Sequence, residues 1–216
     1  MVNRFPVAGS RPASNFKRHD AFPLRGTPLY PIVVVALYSG LRRGELLALR
    51  WQDIDFDAGH LLEQALEETT RAGLVFKAPK SRHGRGTVTL PPSTIAVLRE
   101  HWKKQQEQRL MLGLGKAPAN ALVFANFDGA AYSPNLLSKQ WRRAMKAVGL
   151  KATLHSLRHT HASTLIASGL DVMTISRRLG HGSAALTLNV YGHLFKPDDR
   201  AAAIMETVFG GEPPVG

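Results

Sequence analysis

From Leu29 onward, apolar residues recur with the spacing of helices, interrupted once by a stretch patterned like short strands. The apolar run Leu29 to Tyr38 stops at Ser39-Gly40 and predicts a first helix. Glu45 to Leu49 predicts a second, which leaves Arg42 at the junction between the two. Leu61 to Thr69, Leu74 to Ala78 and Gly86 to Leu90 are separated by turn residues at Ala72-Gly73 and His83-Gly84, as three short strands would be. Pro91-Pro92-Ser93 then opens a long amphipathic helix to about Leu112, with Ile95, Leu98 and Trp102 at core spacing.

After a loop holding Gly113, Gly115 and Pro118, the Ser133-Pro134 pair starts a helix to Val148 that Gly149 ends. Further helices are predicted over Ser156 to Ala167, Asp171 to Leu179, Ala184 to about Leu194, and Asp198 to Val208. The fold class is therefore α+β, mainly α-helical, with a small three-stranded antiparallel sheet. The folded domain is expected over residues 29–209, with 210–216 a disordered end. Residues 1–28 carry Pro6, Pro12, Pro23 and Pro28, and five cations against the single acid Asp20, with no helical or strand period. They read as a basic flexible tail, either an arm along phosphates or a loose terminus.

Charge narrows the class of partner. Twenty-eight Lys and Arg against sixteen Asp and Glu give a net charge of +12 and a pI near 10.5, which attracts a polyanion; double-stranded DNA is the first candidate. The chain has no cysteine, which excludes disulfides and thiolate metal sites. Its longest apolar stretch, Ile32 to Leu37, is too short to span a bilayer, and Met1 to Ser10 lacks a secretory core. These features allow an intracellular location, and no membrane partner is expected.

The chemistry-bearing residues cluster in two places. Arg42 lies in Ser39-Gly40-Leu41-Arg42-Arg43-Gly44-Glu45, and the second half carries His155-Ser156-Leu157-Arg158, Leu179-Gly180-His181 and Asn189-Val190-Tyr191-Gly192-His193. Two arginines with planar forks suit a phosphodiester, and a phenol near cations and an imidazole acceptor suits nucleophilic attack on it. His155 and Arg158 stand three apart and share one side of a helix. No acid lies between Gly129 and Leu170, a stretch that carries Lys139, Arg142, Arg143, Lys146, Lys151 and Arg158. His155, His159 and His161 also allow a metal reading, but no acidic ligand lies within that stretch and the phosphate reading uses more of these residues.

This constellation resembles the tyrosine recombinase (phage-type integrase) family, from roughly Leu29 to Phe209. The resemblance implies a catalytic set of Arg42, Lys80, His155, Arg158, His181 and Tyr191, with Glu45 in support of Arg42. Tyr191 would be the nucleophile and Lys80, in Pro79-Lys80-Ser81, the acid that protonates the leaving 5′-oxygen, with Lys77 as its alternative. Arg43, Arg82, Arg85, Lys139, Arg142, Arg143 and His159 are the expected DNA contacts. No metal and no cofactor are implied, because the arginines supply the charge and the phosphotyrosine stores the bond energy. The resemblance further implies a homotetramer on DNA and a monomer without it, with Ala201 to Phe209 docking on a neighbour or packing on its own domain. Family members carry an N-terminal core-binding domain that this sequence lacks, so a truncated recombinase catalytic domain is expected. A non-catalytic DNA-binding remnant and a type IB topoisomerase-like enzyme are the alternatives.

Overall fold

The computed structural model describes residues 23–62, 65–69, 73–77, 87–195 and 200–210, with the backbone alone at 65–69 and 73–77. Helix α1, Leu29–Ser39, is buried along Ile32, Val33, Val34, Val35 and Ala36 rather than on one stripe. It is enclosed because α3, Pro92–Met111, and α5, Leu154–Ala167, both pack on it. Gly40 ends α1 at φ +72, and a Cβ there would stand 2.7 Å from Cδ2 of His161. Both the left-handed backbone and the space beneath it require glycine.

Helix α2, Arg43–Ala48, follows at once and buries Leu46, Leu47 and Ala48. Strand β1, Ile54–Asp55, then pairs antiparallel with β2, His60–Leu62, which pairs antiparallel with β5, Thr87–Thr89. Strands β3, Ala65–Thr69, and β4, Gly73–Lys77, form a separate antiparallel hairpin whose backbone lies beside α2. The expected three-stranded antiparallel sheet is present, but with different membership. Ile54–Asp55 takes the edge, and the single strand expected over Leu61 to Thr69 contributes β2 to one sheet and β3 to another. A two-residue strand is too short to show a period, which is why β1 is silent in the sequence.

The remaining helices are α4, Pro134–Ala147; α6, Val172–Arg178; α7, Ala184–Tyr191; and α8, Arg200–Phe209. Side-chain caps start α4, α5, α6 and α7: Ser133 accepts from Leu136 N–H, Thr153 from Ser156 N–H, Asp171 from Thr174 N–H and Ser183 from Leu186 N–H. Helix α4 shows how burial and charge divide: Leu137, Trp141 and Met145 enter the core, while Lys139, Arg142, Arg143 and Lys146 stay exposed.

The main core joins α1, α2, α3 and α4, with Leu46, Leu47, Leu49, Leu98, Leu137 and Leu157 fully buried, and it reaches back to Leu24. Truncating one such leucine to alanine costs roughly 2–5 kcal/mol. A smaller cluster of Ala162, Ile166, Ile175, Leu179 and Tyr191 holds α5, α6 and α7 together. A polar latch joins the two. Arg178 donates to the carbonyls of Tyr38 (3.0 Å) and Thr89 (2.9 Å) and to Nε2 of His161 (3.1 Å). His161 accordingly donates from Nδ1 to the Leu37 carbonyl at 2.9 Å.

Every residue of α8 is exposed, including Ile204, Met205, Val208 and Phe209, so this helix buries no residue against the described ones. Among the described residues, no helix is long and apolar enough to cross a membrane.

Candidate active site

Arg42 is the cap residue of α2, with extended backbone, and the Glu45 carboxylate in the first turn reaches back to it. The Arg42 N–H donates to Glu45 Oε2 at 2.6 Å and the Arg42 guanidinium donates to Oε1 at 2.6 Å. The second oxygen of the same carboxylate stands 3.9 Å from Nη1 of Arg158. One acid, largely buried, thus holds both cations of the site. It leaves them a net positive charge to offer an anion.

Arg158 is the deepest member, 3% exposed. Its Nη1 donates to the Gly40 carbonyl at 2.7 Å and its Nη2 to the carbonyl of Leu179. Those two carbonyls belong to the turns that carry Arg42 and His181, so one guanidinium fixes the spacing of three functional residues. Only arginine can do this, because its planar fork presents separate donors in fixed directions.

His155 opens α5, exposed at the rim, with its ring edge-on to His159 at 4.6 Å between centroids. His159 in turn packs edge-on to Tyr191 at 5.4 Å. Helical spacing puts His155 and His159 on one face, and the second core brings Tyr191 against His159. Tyr191 itself is 3% exposed, anchored as the last residue of α7.

Burial first, and the neighbouring cations second, set the protonation states. Partial desolvation, then the neighbouring His159, Arg158 and Arg42, hold His155 below the usual histidine value, so it is neutral and able to accept a proton. His159 is lowered by desolvation and by Arg158. His181 is pushed down to about 4 by burial and by Arg158 and Arg42. Burial pushes the Tyr191 phenol up, against the pull of the same two arginines. Both guanidinium groups are therefore felt at His155, His181 and Tyr191 alike, which makes these five side chains one electrostatic unit.

The sequence profile of the Phage integrase family matches residues 23–197. The chain belongs to the phage integrase family. It is 30% identical over 193 residues to a protein named tyrosine recombinase XerC-like from Caldanaerobacter subterraneus subsp. tengcongensis, covering 84% of this chain and 49% of that one. To the ICEBs1 integrase of Bacillus subtilis it is 34% identical over 165 residues, covering 74% and 44%. This integrase-family chain thus spans about half the length of the curated relatives it matches. Its fold is that of the Tn1549 transposon integrase solved in complex with transposon right end DNA, with a TM-score of 0.71, 22% identity, and coverage of 94% of this chain and 66% of that one. The XerA recombinase shares the fold at a TM-score of 0.60 and 22% identity, covering 92% and 65%.

Of the residues expected to act in this family member, Arg42, Glu45, His155, Arg158, His181 and Tyr191 come together. Lys80, Arg82 and Arg85 lie outside the described residues, as does the side chain of Lys77. Arg43, expected on DNA, donates to Ser138 Oγ at 2.8 Å and to the Pro134 carbonyl at 3.3 Å, so it also ties α2 to α4. His159, also expected on DNA, lies between His155 and Tyr191 instead of apart from them. His161 has turned to the latch with Arg178, and among the described residues no three His or acidic side chains gather as a metal site.

One functional contact escaped the sequence reading. His181 Nδ1 meets Thr187 Oγ1 at 2.7 Å, and Thr187 is fully buried. The available signal was a hydroxyl four residues before Tyr191, on the inward face of α7.

Proposed function

We propose that this chain is the catalytic domain of a site-specific DNA recombinase that cuts and rejoins strands through a 3′-phosphotyrosine at Tyr191. The observation that carries the reading is that Arg42 and Arg158 act together on the buried Tyr191 and on both His155 and His181, in a domain whose net charge suits a polyanion.

The scissile phosphate sits against Arg42 and Arg158, which meet the charge of its non-bridging oxygens as the phosphorane forms. His181 donates a further hydrogen bond there. Tyr191 Oη attacks phosphorus as His155 takes the phenolic proton, which offsets the rise that burial imposes on the phenol. A P–O bond to tyrosine forms, the P–O5′ bond breaks, and the leaving 5′-oxygen takes a proton from Lys80. The hairpin β3–β4, which leads toward Lys80, lies beside the helix that Arg42 caps, in keeping with that assignment. Rejoining is the reversal by a 5′-hydroxyl, and it needs no external energy because the ester is conserved.

The exposed basic face of α4, with Lys139, Arg142, Arg143 and Lys146, lies along duplex phosphates. Strand exchange uses four protomers on DNA, with α8 seated on a neighbour; the apolar Ile204, Met205, Val208 and Phe209 exposed on it supply the contact. The work is done on nucleoid DNA in the cytoplasm.

The test is an incubation with supercoiled plasmid carrying the DNA that flanks the gene, in EDTA, quenched with SDS. Protein-linked DNA that disappears in Tyr191→Phe supports the reading. Salt-sensitive DNA binding with no adduct would replace it with a non-catalytic DNA-binding module.

A further inference from the structure

We infer that Thr187 is a positioning residue that selects the ring tautomer of His181, keeping its single proton on Nε2. The inference rests on the reading of the pocket as a phosphodiester site and adds a residue to it.

Hydrogen-bond accounting at a buried hydroxyl carries the argument. Thr187 Oγ1 is fully buried and lies 2.7 Å from His181 Nδ1. Other helical hydroxyls in the molecule bond back to their own helix: Ser39 to the Val35 carbonyl, Ser168 to the Thr164 carbonyl and Thr207 to the Ala203 carbonyl. Thr187 has no such bond among the described residues, and the imidazole is its partner. If Nδ1–H donated to Oγ1, the hydroxyl proton would be left buried with no acceptor. If the hydroxyl donates to Nδ1 instead, nothing is stranded, because an unused oxygen lone pair costs less than an unused proton.

A neutral imidazole has one N–H, so an accepting Nδ1 places it on Nε2. His181 is neutral because burial, Arg158 and Arg42 hold it down to about 4. The backbone is fixed as well: His181 N–H donates to the Ser176 carbonyl at 3.0 Å, and Arg158 holds the Leu179 carbonyl just before it. The result is an N–H donor locked in place beside two guanidinium groups, so the three donors address one anion. In the other tautomer, a bare nitrogen would face the phosphate oxygen and repel it.

The experiment reads the tautomer directly, in the full chain with 15N-labelled histidine, from long-range correlations that distinguish a protonated ring nitrogen from a bare one. The expected result is Nε2–H at His181 in the parent protein and in Thr187→Ser, and loss of that preference in Thr187→Val. Cleavage of a nicked suicide substrate should fall roughly 10- to 100-fold in Thr187→Val, the usual cost of removing the partner that orients a functional histidine, and be restored in Thr187→Ser. DNA affinity should not change. In a His181→Trp background, whose indole N–H has no tautomer, Thr187→Val should cost nothing more. Nδ1–H in the parent, or an unchanged tautomer in Thr187→Val, would overturn the inference. If the parent shows Nε2–H but forms no adduct with DNA, the strand-cleavage reading fails and the tautomer assignment stands.

Discussion

Arg158 donates to the carbonyl of Gly40 at 2.7 Å, across 118 positions of the chain. Together with its bond to Leu179, this makes a residue assigned to phosphate binding also the clamp that sets the site's dimensions. Arg158→Lys keeps the charge but cannot reach both carbonyls. We expect cleavage to fall roughly 10²- to 10³-fold, as when a fixed transition-state donor is lost. The unpaired carbonyl should also cost about 1–3 kcal/mol of stability, seen in denaturant melts.

Glu45 answers Arg42 twice and Arg158 at longer range. Glu45→Ala removes the acceptor of the Arg42 N–H at the start of α2, worth about 1 kcal/mol, and frees the Arg42 guanidinium to wander. Glu45→Gln keeps an acceptor for the backbone N–H but loses the charge. Single-turnover cleavage should rank parent above Gln above Ala, and a Gln variant as impaired as Ala would make charge, rather than capping, the whole effect.

Gly40→Ala should be among the most destabilising single-methyl changes in the molecule. The residue sits at φ +72 and the new Cβ would stand 2.7 Å from His161. Left-handed strain alone costs roughly 1–3 kcal/mol, and the clash would displace the latch of His161 and Arg178. A thermal melt with the midpoint unchanged would contradict this.

The latch also predicts a pH dependence. His161 is 7% exposed and held down to about 4, first by burial and then by Arg178, against an unfolded value of 6.5. Because the folded value is the depressed one, its contribution is complete above 6.5 and is lost as pH falls from 6.5 toward 4. The full swing is roughly 3 kcal/mol at 1.36 kcal/mol per unit. His161→Gln should flatten the stability profile in that window relative to the parent, and matching slopes would refute the assignment.

Much of this was legible in the sequence, for identifiable reasons. The start at Ser133-Pro134 and the stops at Gly40 and Gly149 place their helix ends to within a residue or two, since each acts through local chemistry. The sheet was less legible because β1 is two residues long and because pairing partners, not local pattern, decide which sheet a strand joins. Arg42, His155, Arg158, His181 and Tyr191 could be named as candidates through the family resemblance that their motifs carry. The two carbonyls held by Arg158, the place of His159 against Tyr191 and the Thr187 contact could not, because each is made by tertiary packing between distant segments.

The exposed cations of α4 give a prediction in salt. If Lys139, Arg142 and Arg143 each lie on a phosphate, replacing all three by glutamine should lower the log–log salt slope of duplex binding by about 0.9 per lost contact. Affinity at low salt should fall for every sequence alike, since phosphate contacts carry no base information.

The central claim is that Tyr191 becomes linked to a 3′-phosphate. The most direct measurement digests the SDS-trapped complex with nuclease and protease, locates the modified peptide by mass spectrometry, and labels the freed DNA end with polynucleotide kinase. The account predicts a nucleotide 3′-phosphate on Tyr191 and a 5′-hydroxyl on the other end. A link at another residue, or a free 5′-phosphate, would contradict it.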